Sequence, residues 1–337
     1  MALTLHGTVS DNTVVLSRQN ANPLIINGDM AVAQRGTSFT SQTGVAYHLD
    51  RYEVSAYNMG DGVYRVDQST DVPAGQGFAN SNKISCTTAD ASQDANNQFY
   101  FQTQLEGTAT SLLNYFVASP DTVSIAFWVR SNRTGTHSLA LKLSDNGSVE
   151  NNSATRVYNK LYTISSANTW EKIVCAIPLD SSTSETKVTG TGFAVAVLFW
   201  MGAGDSRDGK TAEQWAGNGN ATCASDNEDL LASTSNDWYI TGLQMEVGSF
   251  DANSIPPFQH ESFGDSLQRC QRYFWKPTAE GIGLAATAYG CGGRLDNPTP
   301  MRTTATISNA TFVVNQGSAG TVTVLYPTAT GQILYNS

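Results

Sequence analysis

A chain of 337 residues with a formal net charge of −10 is longer than one typical domain, so two or three structural units are expected. The acidic balance excludes a surface built to neutralise nucleic-acid phosphates, and no apolar run reaches the roughly 18 residues that span a bilayer. Only 14% of residues are charged, against about a quarter in an average soluble protein, while 40% are hydrophobic. With 29 glycines, that balance points to β-structure whose faces are buried or paired with other chains, and it argues against disorder. Met1 to Ser10 lack the basic start and long apolar core of a secretory leader, which predicts assembly in a cytoplasm. The five cysteines are widely spaced and form no Cys-x-x-Cys or Cys/His cluster, so neither a zinc site nor a disulfide framework is expected. Cys175 and Cys270 fall on apolar faces and read as small core residues.

In chain order, residues 1–21 form a short, weakly β-patterned arm that cannot bury enough surface to fold alone. Residues 22–258 read as one large β-sandwich of the jelly-roll type, opened by Leu24 to Met30 as a strand with a Gly-Asp turn. Val123 to Arg130 alternates, with Val123, Ile125, Phe127 and Val129 on one face and Ala126, Trp128 and Arg130 on the other. Further strands are expected at Leu139–Leu143, Leu161–Ile164, Trp170–Ile177 and Phe193–Met201. The last, Trp238 to Val247, is read with Tyr239, Thr241, Leu243, Met245 and Val247 in one register. Many short strands without intervening helices favour a sandwich.

Residues 259–277 carry the one convincing helix. Phe263, Leu267, Cys270 and Phe274 recur at spacings of four, three and four and lay an apolar stripe along one face. Ser262 can cap its start, Asp265 sits in the first turn, and Pro277 forbids continuation. Residues 278–337 read as a second, smaller β unit with strands at Thr304–Ile307, Thr311–Val314, Thr321–Tyr326 and Gln332–Tyr335. Its core is weak, which predicts packing against further copies.

No catalytic residues are assigned. The chain has no Gly-x-Ser-x-Gly elbow, no His-Glu-x-x-His and no phosphate or dinucleotide loop, and no cofactor is expected. Asp226, Glu228 and Asp229 read as a solvated acidic loop. Sugar binding needs an aromatic platform for the apolar face of a pyranose ring, flanked by hydrogen-bonding side chains. Trp128 and Trp200 lie opposite the continuous apolar rows of their strands, and Arg130 shares the face of Trp128. If the two strands are neighbours, both indoles join one platform; otherwise each packs beneath a loop or between sheets. Trp215 lies in a Gly/Asn-rich loop and is a further candidate.

The motifs Asn27-Gly28-Asp29-Met30, Asp50-Arg51-Tyr52, Phe127-Trp128-Val129-Arg130 and Ile240-Thr241-Gly242-Leu243-Gln244-Met245-Glu246-Val247-Gly248 resemble, in that order, the carbohydrate-binding-module-like jelly rolls of bacteriophage tail fibres. The segment from Phe258 to Phe274 is similar to the helical junction that follows such sandwiches, and Met1 to Leu5 to the opening of some tail and head-fibre proteins. Together the likeness spans roughly residues 22–276. It implies a homotrimeric receptor-binding virion protein with the phage tail as its location, in contact with a host cell-surface glycan. Residues 1–21, with Leu3, Leu5, Val14, Val15 and Leu16, would dock onto tail or adaptor and nozzle proteins. Asp29 would occupy the opening-turn position where such modules hold calcium, but Thr241-Gly242 replaces the acids of the closing strand, and no metal is expected. Asp50 and Arg51 would form a structural pair pinning the first long loop. A head fibre or capsid decoration protein, and a polysaccharide depolymerase, remain alternatives.

Overall fold

The computed structural model describes residues 22–90, 92–148, 155–217, 223–224, 228–276, 284–287, 290–304, 322–325 and 331–336. The arm residues Leu3, Leu5, Val14, Val15 and Leu16 lie outside that set.

The strands follow in chain order: β1 (Ser38–Gln42), β2 (Ala46–Tyr47), β3 (Tyr52–Tyr57), β4 (Val63–Ser69), β5 (Ser81–Thr88) and β6 (Gln98–Glu106). After these come β7 (Thr122–Ser131), β8 (Gly135–Ser144), β9 (Thr155–Ile164) and β10 (Glu171–Pro178). The sandwich closes with β11 (Phe193–Ala203), β12 (Trp215–Gly217) and β13 (Asp237–Val247). Six strands in the order β1-β4-β5-β13-β7-β10 form one sheet, and seven in the order β12-β9-β8-β11-β6-β3-β2 form the other. The protein is thus mainly β, a two-sheet jelly-roll-type sandwich with one α-helix among the described residues.

The alternation in β7 holds. Val123, Ile125, Phe127 and Val129 are fully buried between the sheets, where Phe127 meets Phe199 of β11 edge-on at 4.9 Å. In β13 the alternation breaks. Thr241 pairs with Trp128 and Gln244 with Ala126, so Gly242 and Leu243 together oppose Phe127 in a β-bulge. Trp238 and Ile240 point into the core before the bulge, and Leu243, Met245 and Val247 after it. The single register expected for Tyr239 through Val247 is therefore corrected: Tyr239 and Thr241 sit on the outer face. Gly242 makes the switch with φ +63°, a conformation glycine adopts freely.

Leu24 to Met30 forms turns and not the expected strand. Asn27 and Met30 both adopt φ 59°, and the Met30 amide donates to the Asn27 carbonyl at 3.0 Å. An Asn-Gly pair favours such a turn over a ladder. The Asn27 side chain donates to the carbonyls of Val32 (3.0 Å) and Asp50 (2.9 Å) and accepts from the Val32 amide (2.8 Å). Gly28 then accepts from the Leu243 amide at 2.9 Å, an approach so close that any Cβ on Gly28 would collide with the Leu243 carbonyl. The opening turn is thereby riveted to the bulge.

The helix α1 (Phe263–Gln271) is shorter than expected and turned differently. Ser262 does cap it, accepting from the Asp265 amide at 3.2 Å. Phe263, however, is 59% exposed, and Phe274 lies beyond the last helical residue. The buried side consists of Ser266 and Cys270, small residues that let the helix lie close against the sandwich. What fastens this segment is polar. Arg269 donates to the Pro23 carbonyl and to Glu261, each at 2.6 Å, and Arg272 grips Glu106 at 2.9 and 3.1 Å. Arg302 extends the strap. Its amide donates to the Arg272 carbonyl, its Nη1 to the Thr191 carbonyl, and its guanidinium stacks 4.2 Å from the Phe193 ring centre.

Beyond lies a four-stranded antiparallel sheet: β14 (Leu284–Thr287), β15 (Gly290–Asp296), β16 (Val322–Leu325) and β17 (Gly331–Asn336), in the order β14-β15-β17-β16. β16 and β17 coincide with two expected strands. Residues 305–307 and 311–314 lie outside the described set, and the β14–β15 hairpin was not foreseen.

Two outcomes test this account. Asn27→Ala removes three buried hydrogen bonds, and at about 1 kcal/mol each it should cost about 3 kcal/mol in urea unfolding. His48 is buried between Phe39 and Tyr64, and burial, with Arg35 nearby, lowers its pKa to about 4. The unfolded chain takes up a proton as pH falls through about 6.5, while the folded chain refuses it until about pH 4. The contribution of His48, up to about 3 kcal/mol, is thus complete above pH 6.5 and is lost on the way down to pH 4. His48→Phe should flatten that part of the stability profile; an unchanged slope between pH 7 and 4 would refute the assignment.

Candidate functional site

The outer face of the six-stranded sheet carries an unusual row of side chains. Register pairs Arg130 of β7 with Tyr239 of β13, Tyr239 with Lys83 of β5, and Lys83 with Asp67 of β4. Trp170 immediately precedes β10, and continuing the register that pairs Glu171 with Val129 sets it beside Arg130. A second row, Lys172, Trp128 and Thr241, runs alongside. All these positions alternate with inward residues, which is why they face outward.

Charge and aromatic rings interleave along the first row. The Arg130 guanidinium stands 4.7 Å from the Tyr239 ring centre and the Lys83 ammonium 5.0 Å, so the tyrosine lies between two cations. Lys83 also lies 3.6 Å from Asp237, to which the Tyr239 hydroxyl donates at 3.3 Å. Burial lowers the Lys83 pKa, but Tyr239, Asp237 and Asp67 outweigh it, and the net shift is upward. Trp170 meets Tyr239 edge-on at 6.0 Å. Its indole Nε1 donates to Asp71 at 2.9 Å, and Arg130 Nη1 donates to the other oxygen of the same carboxylate at 3.0 Å. Asp71 belongs to the loop between β4 and β5, and β13 separates β5 from β7 in sheet order, so this loop leans across the face. Further along, Phe78 returns to the sheet. A Cβ on Gly242 would come within 2.6 Å of the Phe78 ring and 3.1 Å of Trp128, so the bulge glycine seats both rings. Phe78 continues into a cluster with Phe258 (5.1 Å) and His260 (5.2 Å). Trp128, Trp170 and Arg130 remain partly open to solvent. Such a surface offers ring-stacking area flanked by fixed donors.

The sequence-based candidates separate here. Trp128 and Arg130 belong to this face. Trp200 does not: β11 lies in the seven-stranded sheet, so the shared platform with Trp128 is corrected. Trp200 is 1% exposed, packed on Tyr100 at 4.9 Å within a cluster that includes Leu198 and Cys223. Trp215, on the edge strand β12, donates its Nε1 to the Pro178 carbonyl at 2.7 Å and packs on Tyr158, a structural seat away from the platform. Trp170, Tyr239 and Asp71 were not anticipated. A lone Trp at a strand start was a usable signal for the first; nothing local marks the others.

Asp50 and Arg51 do not pair with each other. Asp50 accepts from the Gln34 amide (2.6 Å) and side chain (2.7 Å) and lies 3.8 Å from Arg35. Arg51, at φ 75°, sends its guanidinium the other way, to the Gln104 carbonyl and over the Tyr273 ring at 3.4 Å. The positive φ splays the two side chains apart. The Asp50 carboxyl is pushed up by burial, against the Gln34 hydrogen bonds and the two arginines. The carboxyl of Asp29 is likewise raised by burial, with the Ala31 and Asp29 amides and His260 opposing. Among the described residues no group of three or more His, Cys, Asp or Glu is placed to hold a metal ion. Glu228 is ion-paired to Arg133, and Asp229 caps a 3-10 turn by accepting from the Leu231 amide at 2.9 Å, so neither belongs to a freely solvated loop.

Removing the Asp71 carboxylate has a defined consequence. Asp71→Ala should release the Trp170 indole, raising acrylamide quenching of tryptophan fluorescence. Stability should change by less than about 1 kcal/mol, because this ion pair is exposed. A loss of several kcal/mol would mark it as a structural rivet.

No family model matches the chain, and no curated protein sequence does. Among solved structures it is similar to a provisionally assigned sugar binding protein from Bacteroides thetaiotaomicron, with TM-score 0.36, 11% identity, and coverage of 67% of this chain and all of that one. The CBM22-1 xylan-binding domain from Paenibacillus barcinonensis gives TM-score 0.30 and 10% identity over 63% of this chain and 94% of that domain. A family 11 carbohydrate-binding module from Clostridium thermocellum, solved with a mixed-linked β-1,3-1,4 tetrasaccharide, gives TM-score 0.30 and 10% identity over 66% and 99%. All three are described as sugar- or carbohydrate-binding, and at these TM-scores the likeness says nothing of this chain's own role.

Proposed function

We propose that the chain is a non-catalytic glycan-binding adhesin of a bacteriophage tail fibre, trimeric, docked to the tail through residues 1–21 and contacting host-surface polysaccharide with the outer face of the six-stranded sheet. The observation that carries the binding role is a pair of partly open indoles on one face, Trp128 seated on the Gly242 bulge and Trp170 held by Asp71, with the partly open Arg130 beside them. Indole faces stack on the apolar face of a sugar ring, and a guanidinium held by Asn168 and Asp71 offers donors in a fixed orientation. The virion setting rests on the ordered motifs from Asn27 to Phe274 and their resemblance to fibre proteins. Copy number would convert modest single-site affinity into firm attachment.

The test is binding of the full chain to an array of bacterial surface and plant polysaccharides, beside the Trp128→Ala/Trp170→Ala double variant. Retention of at least one polysaccharide, weakened tenfold or more in the variant, is expected, since stacking contributes about 1 kcal/mol or more per ring. No retention of any glycan, or equal retention by the variant, would overturn the reading. Light scattering on the same preparation reads the trimer.

A further inference from the structure

The outer face holds an anion already, and it is the protein's own. Arg130 Nη1, from β7, and Trp170 Nε1, from the residue just before the neighbouring β10, converge on one carboxylate, that of Asp71, at 3.0 and 2.9 Å. That carboxylate is 44% exposed and hangs on a loop that passes through Gly75 and Gly77, both at positive φ. An ion pair so open to water contributes little, so a competing carboxylate displaces it at small cost.

The charges around it are unevenly satisfied. Asp67 is held by Arg65 at 2.7 Å, and Asp237 by Lys83 and the Tyr239 hydroxyl. Lys172 is exposed beside Trp128 and meets no carboxylate among the described residues, and Arg130 retains its second terminal nitrogen unused there. In a chain of net charge −10, these acids are thus occupied, whereas Lys172 lacks a carboxylate among the described residues and one Arg130 nitrogen is unused there.

We propose that the Arg130–Trp170 cradle takes the carboxylate of a uronic-acid polysaccharide in place of Asp71, with Lys172 as second contact and Trp128 beneath the sugar ring. This rests on the glycan reading above and narrows it to one ligand class. The occupant is a carboxylated sugar because the group already seated there is a carboxylate, bound through one oxygen to each donor.

Affinity electrophoresis of the full chain tests it, in gels containing polygalacturonate (carboxylated), carrageenan (sulfated, without carboxylate) or mixed-linkage β-glucan (neutral). Polygalacturonate should retard the chain. Arg130→Gln should weaken that binding about tenfold and Lys172→Gln about threefold, and added salt should weaken it further. Asp71→Asn should strengthen it, while Lys276→Gln, at an exposed lysine beyond α1, should leave it unchanged. Lys172→Gln and Asp71→Asn alter only surface groups, so they carry the test even if Arg130→Gln misfolds. Stronger retardation by β-glucan would overturn the uronate inference and leave glycan binding standing. Equal or stronger retardation by carrageenan, or equal loss in Lys276→Gln, would reveal a general anion surface and overturn it. Self-association abolished by Lys172→Gln would assign the face to a second copy of the chain. Retardation by none of the three, with nothing retained on the wider array, would remove both readings.

Discussion

Everything on the outer face depends on one residue inserted into one strand. Without the bulge at Gly242, β13 would keep a single parity, and either Trp238 and Ile240 or Leu243, Met245 and Val247 would leave the core. With it, both sets are buried and Tyr239 is free to stand between Arg130 and Lys83. The bulge also accepts two neighbours from opposite sides: the Gly28 carbonyl on the Leu243 amide, and the rings of Phe78 and Trp128 against the glycine's missing side chain. The same backbone irregularity thus closes the core, anchors the opening turn and seats the aromatic surface.

A second principle organises the other end of the sandwich, where the covering segment is fastened by cations and not by an apolar helix face. Arg35 lies 3.5 Å from the Phe274 ring centre and Arg51 3.4 Å from that of Tyr273, while Gln34 donates to both Asp50 and the Phe274 carbonyl. These contacts fix position through direction, where a greasy helix would fix it only through area. They account for an exposed Phe263 on a helix that is nonetheless held closely.

Much of the fold is legible in the sequence because alternation is a local property. Val123, Ile125, Phe127 and Val129 declare a strand and its buried face without any knowledge of neighbours. Sheet membership is not local. Trp128 and Trp200 carry the same signature, an indole opposite an apolar row, yet topology places β7 and β11 in different sheets, and packing with Tyr100, Leu198 and Cys223 buries only the second. The inverted half of β13 was hidden because one glycine changes the parity of every residue before it. Asp71 was invisible for a third reason: its partners lie 59 and 99 positions away and are reached by a loop crossing the sheet. Several of the short motifs read in chain order turn out to be contact points in space. Asn27 meets Asp50, Gly28 meets Leu243, and the Asp50-Arg51 pair meets the Tyr273-Phe274 pair through Gln34 and the Arg51 stack.

The Arg302 strap has a mechanical meaning. A pull applied at Arg302 is passed by its amide's hydrogen bond to the Arg272 carbonyl, and from there by the two-pronged grip of Arg272 on Glu106 at the end of β6. β6 is an interior strand, paired with β11 from Gln98 to Glu106 and with β3 from Gln98 to Thr103, so the load enters the sheet on a strand held from both sides. Had the strap ended on the edge strands β2 or β12, the same pull would have peeled them away one bond at a time.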